Sequence, residues 1–95
     1  MDTDEIIARL LALGLDREAA RAYVHLSSTG PRKASEVATA LSISRAEAYR
    51  TLQRMTQQGF ATATLQRPVR FVAAPPEDLF RLLSAAHQAL SLIHI

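Results

Sequence analysis

The chain contains no cysteine among its 95 residues, so disulfides, thiolate nucleophiles and cysteine-held metals are excluded, a usage that fits a cytosolic protein. No apolar run is long enough to cross a bilayer. The opening stretch MDTDEIIARL is acidic and amphipathic rather than basic with an apolar centre, which predicts neither a signal peptide nor a membrane partner. Low-complexity runs are missing too, and 48% apolar against 21% charged residues is a globular balance. The length suits one small domain with a modest core and leaves too little chain for an additional ligand-binding domain. Catalytic apparatus is also lacking: there is no glycine-rich phosphate loop, no nucleophile elbow and no HExxH. His25, His87 and His94 have no ligand spacing, and a cation is favoured at a helix C-terminus, where His94 would stand. Glu36 and Glu47 sit three residues into predicted helices and read as capping groups rather than a catalytic pair. The expectation is a protein that is not an enzyme and needs neither metal nor cofactor.

Net charge is low as well, at +2, but its distribution is uneven. Between Gly30 and Ala73 stand Arg32, Lys33, Arg45, Arg50, Arg54, Arg67 and Arg70 against only Glu36 and Glu47, a local balance of +5, while the flanks are acidic. Such clustering is the footprint of a phosphate-facing surface. The plainer alternative is a set of ordinary solubilising charges.

The same region holds the most specific pattern. Val37, Ala38 and Leu41 fall at the 3 and 4 spacing of one helical face. A turn at Ser42 and Ile43 follows. Ser44 then suits an N-cap, and Glu47 three residues later completes a capping-box pattern, after which Ala48, Leu52 and Met55 line a second apolar face until Gly59 stops the helix. Two short helices about a tight turn make a helix-turn-helix. On the second helix Ala46, Arg50, Gln53 and Gln57 point away from the apolar line, with Tyr49 and Arg54 on its flanks. Arginine can bridge guanine acceptors in the major groove, glutamine can pair with adenine, and a small alanine permits close approach.

Upstream, Ile6, Ile7, Leu10, Leu11 and Leu13 have helical rhythm behind an acidic turn and end at Gly14. Asp16 can cap a second helix in which Ala19, Ala20, Tyr23, Val24 and Leu26 face the core and Arg17, Arg21 and His25 face outward, up to Thr29-Gly30-Pro31. Downstream, Phe60 to Leu65 alternates and Val69 to Ala73 is β-branched and aromatic, so a hairpin is predicted about Gln66, Arg67 and Pro68. With Arg67 and Arg70 it reads either as a wing lying along the DNA backbone or minor groove, or as a hairpin that only caps the core. Tyr49 either fills the seam with this hairpin or donates its hydroxyl to a phosphate. Pro76, Glu77 and Asp78 open a last helix carrying Leu79, Phe80, Leu82, Leu83, Ala86, Leu90 and Ile93, more apolar than one small domain buries from one side. It is expected to pair with its copy in a dimer, to lead into a further domain, or to pack on Ile6 to Leu13.

These residues resemble the N-terminal winged-helix domain of TrmB-type archaeal transcriptional regulators. The resemblance covers Leu13 to about Leu83 and rests on Leu13-Gly14-Leu15, Ala20-Arg21-x-Tyr23, Gly30-Pro31, Ala34-Ser35-Glu36-Val37-Ala38, Ile43-Ser44-Arg45, Ala48-Tyr49, Leu52, Gly59-Phe60 and Arg67-Pro68-x-Arg70-Phe71 running into Pro75-Pro76-Glu77. It implies a dimeric DNA-binding domain on a palindromic promoter element, with Arg45, Tyr49 and Arg50 on the reading helix. Members commonly carry a C-terminal sugar-binding domain, for which this chain is too short. It is expected to be either an excised DNA-binding domain or a stand-alone member whose effector is unknown. Lys33 replaces the usual hydroxyl N-cap, which should lose that capping box at a cost of about 1 kcal/mol. Glu47 stands where a basic residue is usual, and Gln66 replaces the wing glycine.

The sequence thus predicts an α+β, mostly helical winged helix-turn-helix over residues 1–75, with a C-terminal dimerisation helix over residues 76–95 of the same domain. Its function would be sequence-specific binding of double-stranded DNA as a transcriptional regulator, in the cytoplasm with the nucleoid. Arg50, Gln53 and Gln57 are the expected base readers. Lys33, Arg45, Arg54, Arg67 and Arg70 are the expected phosphate partners, with Ser44, Ala46 and Tyr49 completing the surface. Leu79, Leu82, Leu83, Ala86, Leu90 and Ile93 form the expected dimer interface. The alternative is a protein-interaction adaptor docking through that apolar helix.

Overall fold

The computed structural model describes residues 3–78, and the predicted dimer residues Leu79, Leu82, Leu83, Ala86, Leu90 and Ile93 lie outside them. Helical backbone resumes at residues 76–78, where Pro76 was expected to open the last helix. The described elements follow in the order α1 (Thr3–Ala12), α2 (Arg17–Thr29), α3 (Ala34–Leu41), α4 (Arg45–Gln58), β1 (Ala61–Ala63) and β2 (Phe71–Ala73). This is the mostly helical winged helix-turn-helix expected from the sequence.

Local chemistry sets most of the helix ends. Asp16 caps α2, its Oδ1 accepting from the Ala19 N–H at 2.7 Å. Ser44 caps α4 in the same way, its Oγ accepting from the Glu47 N–H at 3.1 Å. At α3 the expected loss of the capping box is only half right. An ammonium cannot accept a hydrogen bond, so the Lys33 side chain contributes nothing. The Glu36 carboxylate nevertheless accepts from the Lys33 backbone N–H at 2.9 Å, which is the returning half of the box. Between α3 and α4, Ser42 takes the left-handed conformation at φ 58°, and the Ile43 N–H returns to the Ala38 carbonyl at 3.0 Å. That closure fixes the angle between the two helices. Gly59, at φ 91°, ends α4 with its N–H shared between the Met55 and Thr56 carbonyls.

One core joins all the elements. Leu10, Leu15, Ala19, Ala20, Ala22, Tyr23, Leu26, Val37, Leu41, Leu52, Met55, Ala61 and Phe71 form a single buried cluster. Leu26, Val37, Leu52 and Met55 are its largest fully buried side chains, each contributing about 1.5–3 kcal/mol relative to exposure. Leu11, which has the helical rhythm of α1, is 41% exposed and stands outside the cluster. Tyr23 is core, as its position on an apolar face suggested. Its hydroxyl donates to the Ala74 carbonyl at 2.6 Å, tying α2 to the chain leaving the hairpin, and burial raises its phenol pKa above the ordinary tyrosine value.

The hairpin is antiparallel, with Ala61 opposite Ala73, Thr62 opposite Val72 and Ala63 opposite Phe71. Its strands are shorter than the alternating runs implied. Beyond them the Thr64 N–H bonds the Arg70 carbonyl at 2.8 Å, and the Arg70 N–H bonds the Thr64 hydroxyl at 2.9 Å. A third strand-like contact has no counterpart in the sequence expectations. Arg32, between α2 and α3, bridges antiparallel to Phe71, exchanging both backbone bonds at 3.1 and 2.8 Å.

Candidate nucleic-acid interface

Helix α4 is amphipathic. Ala48, Thr51, Leu52 and Met55 turn inward, while Arg45, Ala46, Tyr49, Arg50, Gln53, Arg54 and Gln57 are exposed. Arg50, Gln53 and Gln57 therefore occupy the outer face, as their helical phase requires. Nothing among the described residues pairs with Arg50 or Gln57. Thr51 is the one inward residue that the apolar pattern missed. Only 3% exposed, it donates its hydroxyl to Glu18 Oε2 at 3.3 Å.

Arg54 is held differently from its neighbours. Its guanidinium forms an ion pair with Asp16, the residue that caps α2, so its charge is compensated within the protein. Together with the Thr51–Glu18 bond this fastens one flank of α4 to the first turn of α2. No local sequence pattern reveals the pair, because 38 residues separate its partners.

The hairpin stands on the other side of α4. An open groove of about 590 Å³ runs between them, lined by Lys33, Ala34, Ser35, Arg45, Ala46, Tyr49, Pro68 and Val69. The first turns of α3 and α4 both open onto it, which places two positive helix-dipole ends beside Lys33 and Arg45, a combination suited to anions. Lys33, Arg45, Ala46 and Tyr49 are thus brought together. Ser44 borders them, its oxygen accepting as the α4 cap, which leaves its O–H as a donor. Arg67 and Arg70 are exposed on the hairpin, whose tip also carries the fully exposed Leu65. Tyr49 lies in the seam, its ring edge-on to Phe71 with centroids 6.3 Å apart.

Two acids border this surface, Glu47 in the first turn of α4 and Glu36 in the first turn of α3. The Glu36 carboxyl titrates below the ordinary range, chiefly because it accepts the Lys33 backbone N–H, with Lys33, Arg32 and Arg70 adding positive charge nearby. It acts as the capping group the sequence suggested. Among the described residues no three His, Asp or Glu side chains converge on a possible metal site, and no helix is long and apolar enough to cross a membrane.

Comparison with known proteins bears on this arrangement. A family model described as the sugar-specific transcriptional regulator TrmB matches residues 10–77. Among solved structures, the archaeal chromatin protein TrmBL2, whose structure shows a novel mode of DNA binding, superposes with a TM-score of 0.87 at 21% identity, over 99% of this chain and 36% of that one. The chain therefore spans about a third of the length of TrmBL2. The transcriptional regulator Tm0710 from Thermotoga maritima gives a TM-score of 0.69 at 14% identity, over 93% of this chain and 66% of that one. A MarR family regulator from Silicibacter pomeroyi gives 0.66 at 19% identity, over 97% of this chain and 63% of that one. No curated protein matches the chain.

Proposed function

Since this chain belongs to the TrmB family of transcriptional regulators, we propose that it is a sequence-specific regulator binding double-stranded DNA, with α4 in the major groove and the hairpin as its wing. The observation that carries this reading is the exposure of Arg50, Gln53 and Gln57 on one face of a helix whose other face is core. The three offer the donors and acceptors that base edges require. The groove between α4 and the wing, with Lys33, Arg45 and two helix N-termini, suits a phosphate of the same duplex. Arg67 and Arg70 would neutralise further phosphates along the wing. Arg54 contributes less, being paired with Asp16.

The operator is a palindrome in this reading and the protein a homodimer. Leu79, Leu82, Leu83, Ala86, Leu90 and Ile93 repeat at helical spacing in the sequence, and a two-fold pairing through them would set two reading helices about 34 Å apart, one turn of duplex. Selection of bound duplexes from a random pool, read beside the mass in solution, tests both statements. The expected result is an inverted repeat with half-sites one turn apart and a dimer mass. Tight binding only at low salt, with no enriched sequence, would refute it.

A further inference from the structure

One contact on the exposed face of α4 goes beyond presenting side chains to DNA. Gln53 Nε2 donates to the hydroxyl of Tyr49, one helical turn earlier, at 3.1 Å. Tyr49 is itself held: its ring meets Phe71 at 80° with centroids 6.3 Å apart. Phe71 in turn is 3% exposed, and both its backbone polar groups are bonded to Arg32. A continuous line of contacts therefore runs from the middle of the sheet to a base-reading side chain. A glutamine free on a helix surface samples many rotamers, and binding must then select one. Here one amide N–H is already committed, which leaves Gln53 the second N–H and Oε1. That donor and acceptor are the pair complementary to N7 and N6–H of adenine in the major groove.

We propose that Tyr49 is a positioning residue, whose hydroxyl presets Gln53 to read adenine and whose ring takes its own place from the wing strand through Phe71. The inference rests on the DNA-binding reading above. Tyr49→Phe isolates it, since the ring and its contact with Phe71 remain and only the hydroxyl is lost. Parent, Tyr49→Phe and Gln53→Ala chains are titrated against the selected duplex and its single-base-pair variants, and the Gln53 side-chain amide is followed by NMR without DNA.

The parent should prefer adenine at one position of each half-site, and Gln53→Ala should abolish that preference. Tyr49→Phe should lower it by about 2- to 10-fold, the worth of one hydrogen bond, at the same position and no other, with a shift of the Gln53 amide resonances in the free protein. Adenine preference fully retained in Tyr49→Phe would overturn the proposal while leaving the regulator reading intact. A parent with no sequence preference would remove both.

Discussion

Asp16 performs two tasks with one carboxylate, and two substitutions separate them. Its Oδ1 caps α2 at 2.7 Å, while its other oxygen pairs with Arg54 of α4. Asparagine is as good an N-cap as aspartate but carries no charge, so Asp16→Asn keeps the cap and gives up the ion pair. The side chains of that pair are 47% and 51% exposed, which limits it to about 0.2–1 kcal/mol. Asp16→Ala also loses the cap, a further cost of about 1 kcal/mol. For a domain of this size 1 kcal/mol displaces Tm by about 4–8 °C. Thermal unfolding should therefore place Asp16→Asn slightly below the parent and Asp16→Ala another 4–8 °C or so lower. Repeating the scans in about 1 M salt, where the screening length falls to about 3 Å, should close the first gap and leave the second. Equal losses in the two variants, or a cap-dependent gap that disappears in salt, would refute this division.

Three further outcomes are expected. Arg67→Ala should weaken binding to all duplexes about equally and reduce the salt slope by about 1, whereas Arg50→Ala should cost about 1–3 kcal/mol and relax preference at one base pair; identical salt titrations and base preferences for the two would contradict the sorting. Tyr23→Phe strands the buried Ala74 carbonyl and should cost about 1–3 kcal/mol in urea unfolding, and a parent-like midpoint would show that the bond is dispensable. Glu36 has a folded-state pKa below its unfolded one, so its contribution to the start of α3 is complete above the ordinary carboxylate range and is lost as pH falls through the folded value. Amide NMR should report that acid transition in the first turn of α3 and find it missing in Glu36→Gln, which can still accept from Lys33 but cannot titrate.

What the sequence disclosed were the features written in local spacing. The caps at Asp16 and Ser44, the turn after Leu41 and the inward line of Ala48, Leu52 and Met55 all depend on successive residues three to five positions apart. Tyr49 is ambiguous in sequence because packing against Phe71 depends on where the hairpin returns, which α4 alone does not specify. Distant pairings were invisible for the same reason. Nothing near Arg54 announces Asp16, nothing near Thr51 announces Glu18, and the single bridge from Arg32 to Phe71 is too short to leave an alternating pattern. At α3 the lysine at the N-cap hides half of a reciprocal motif, because Glu36 acts through the Lys33 backbone N–H, which every residue type but proline supplies.

The Arg32–Phe71 bridge also governs where this chain can change length. An added residue at the hairpin tip, between Leu65 and Val69, would alter the reach of the wing and leave everything behind it in place. The same residue added between Gly30 and Lys33 would break the register with Phe71 and shift the first turn of α3 in a single event. Variation in wing size should thus be cheap for such a protein, while the linker ahead of the helix-turn-helix has to keep its count.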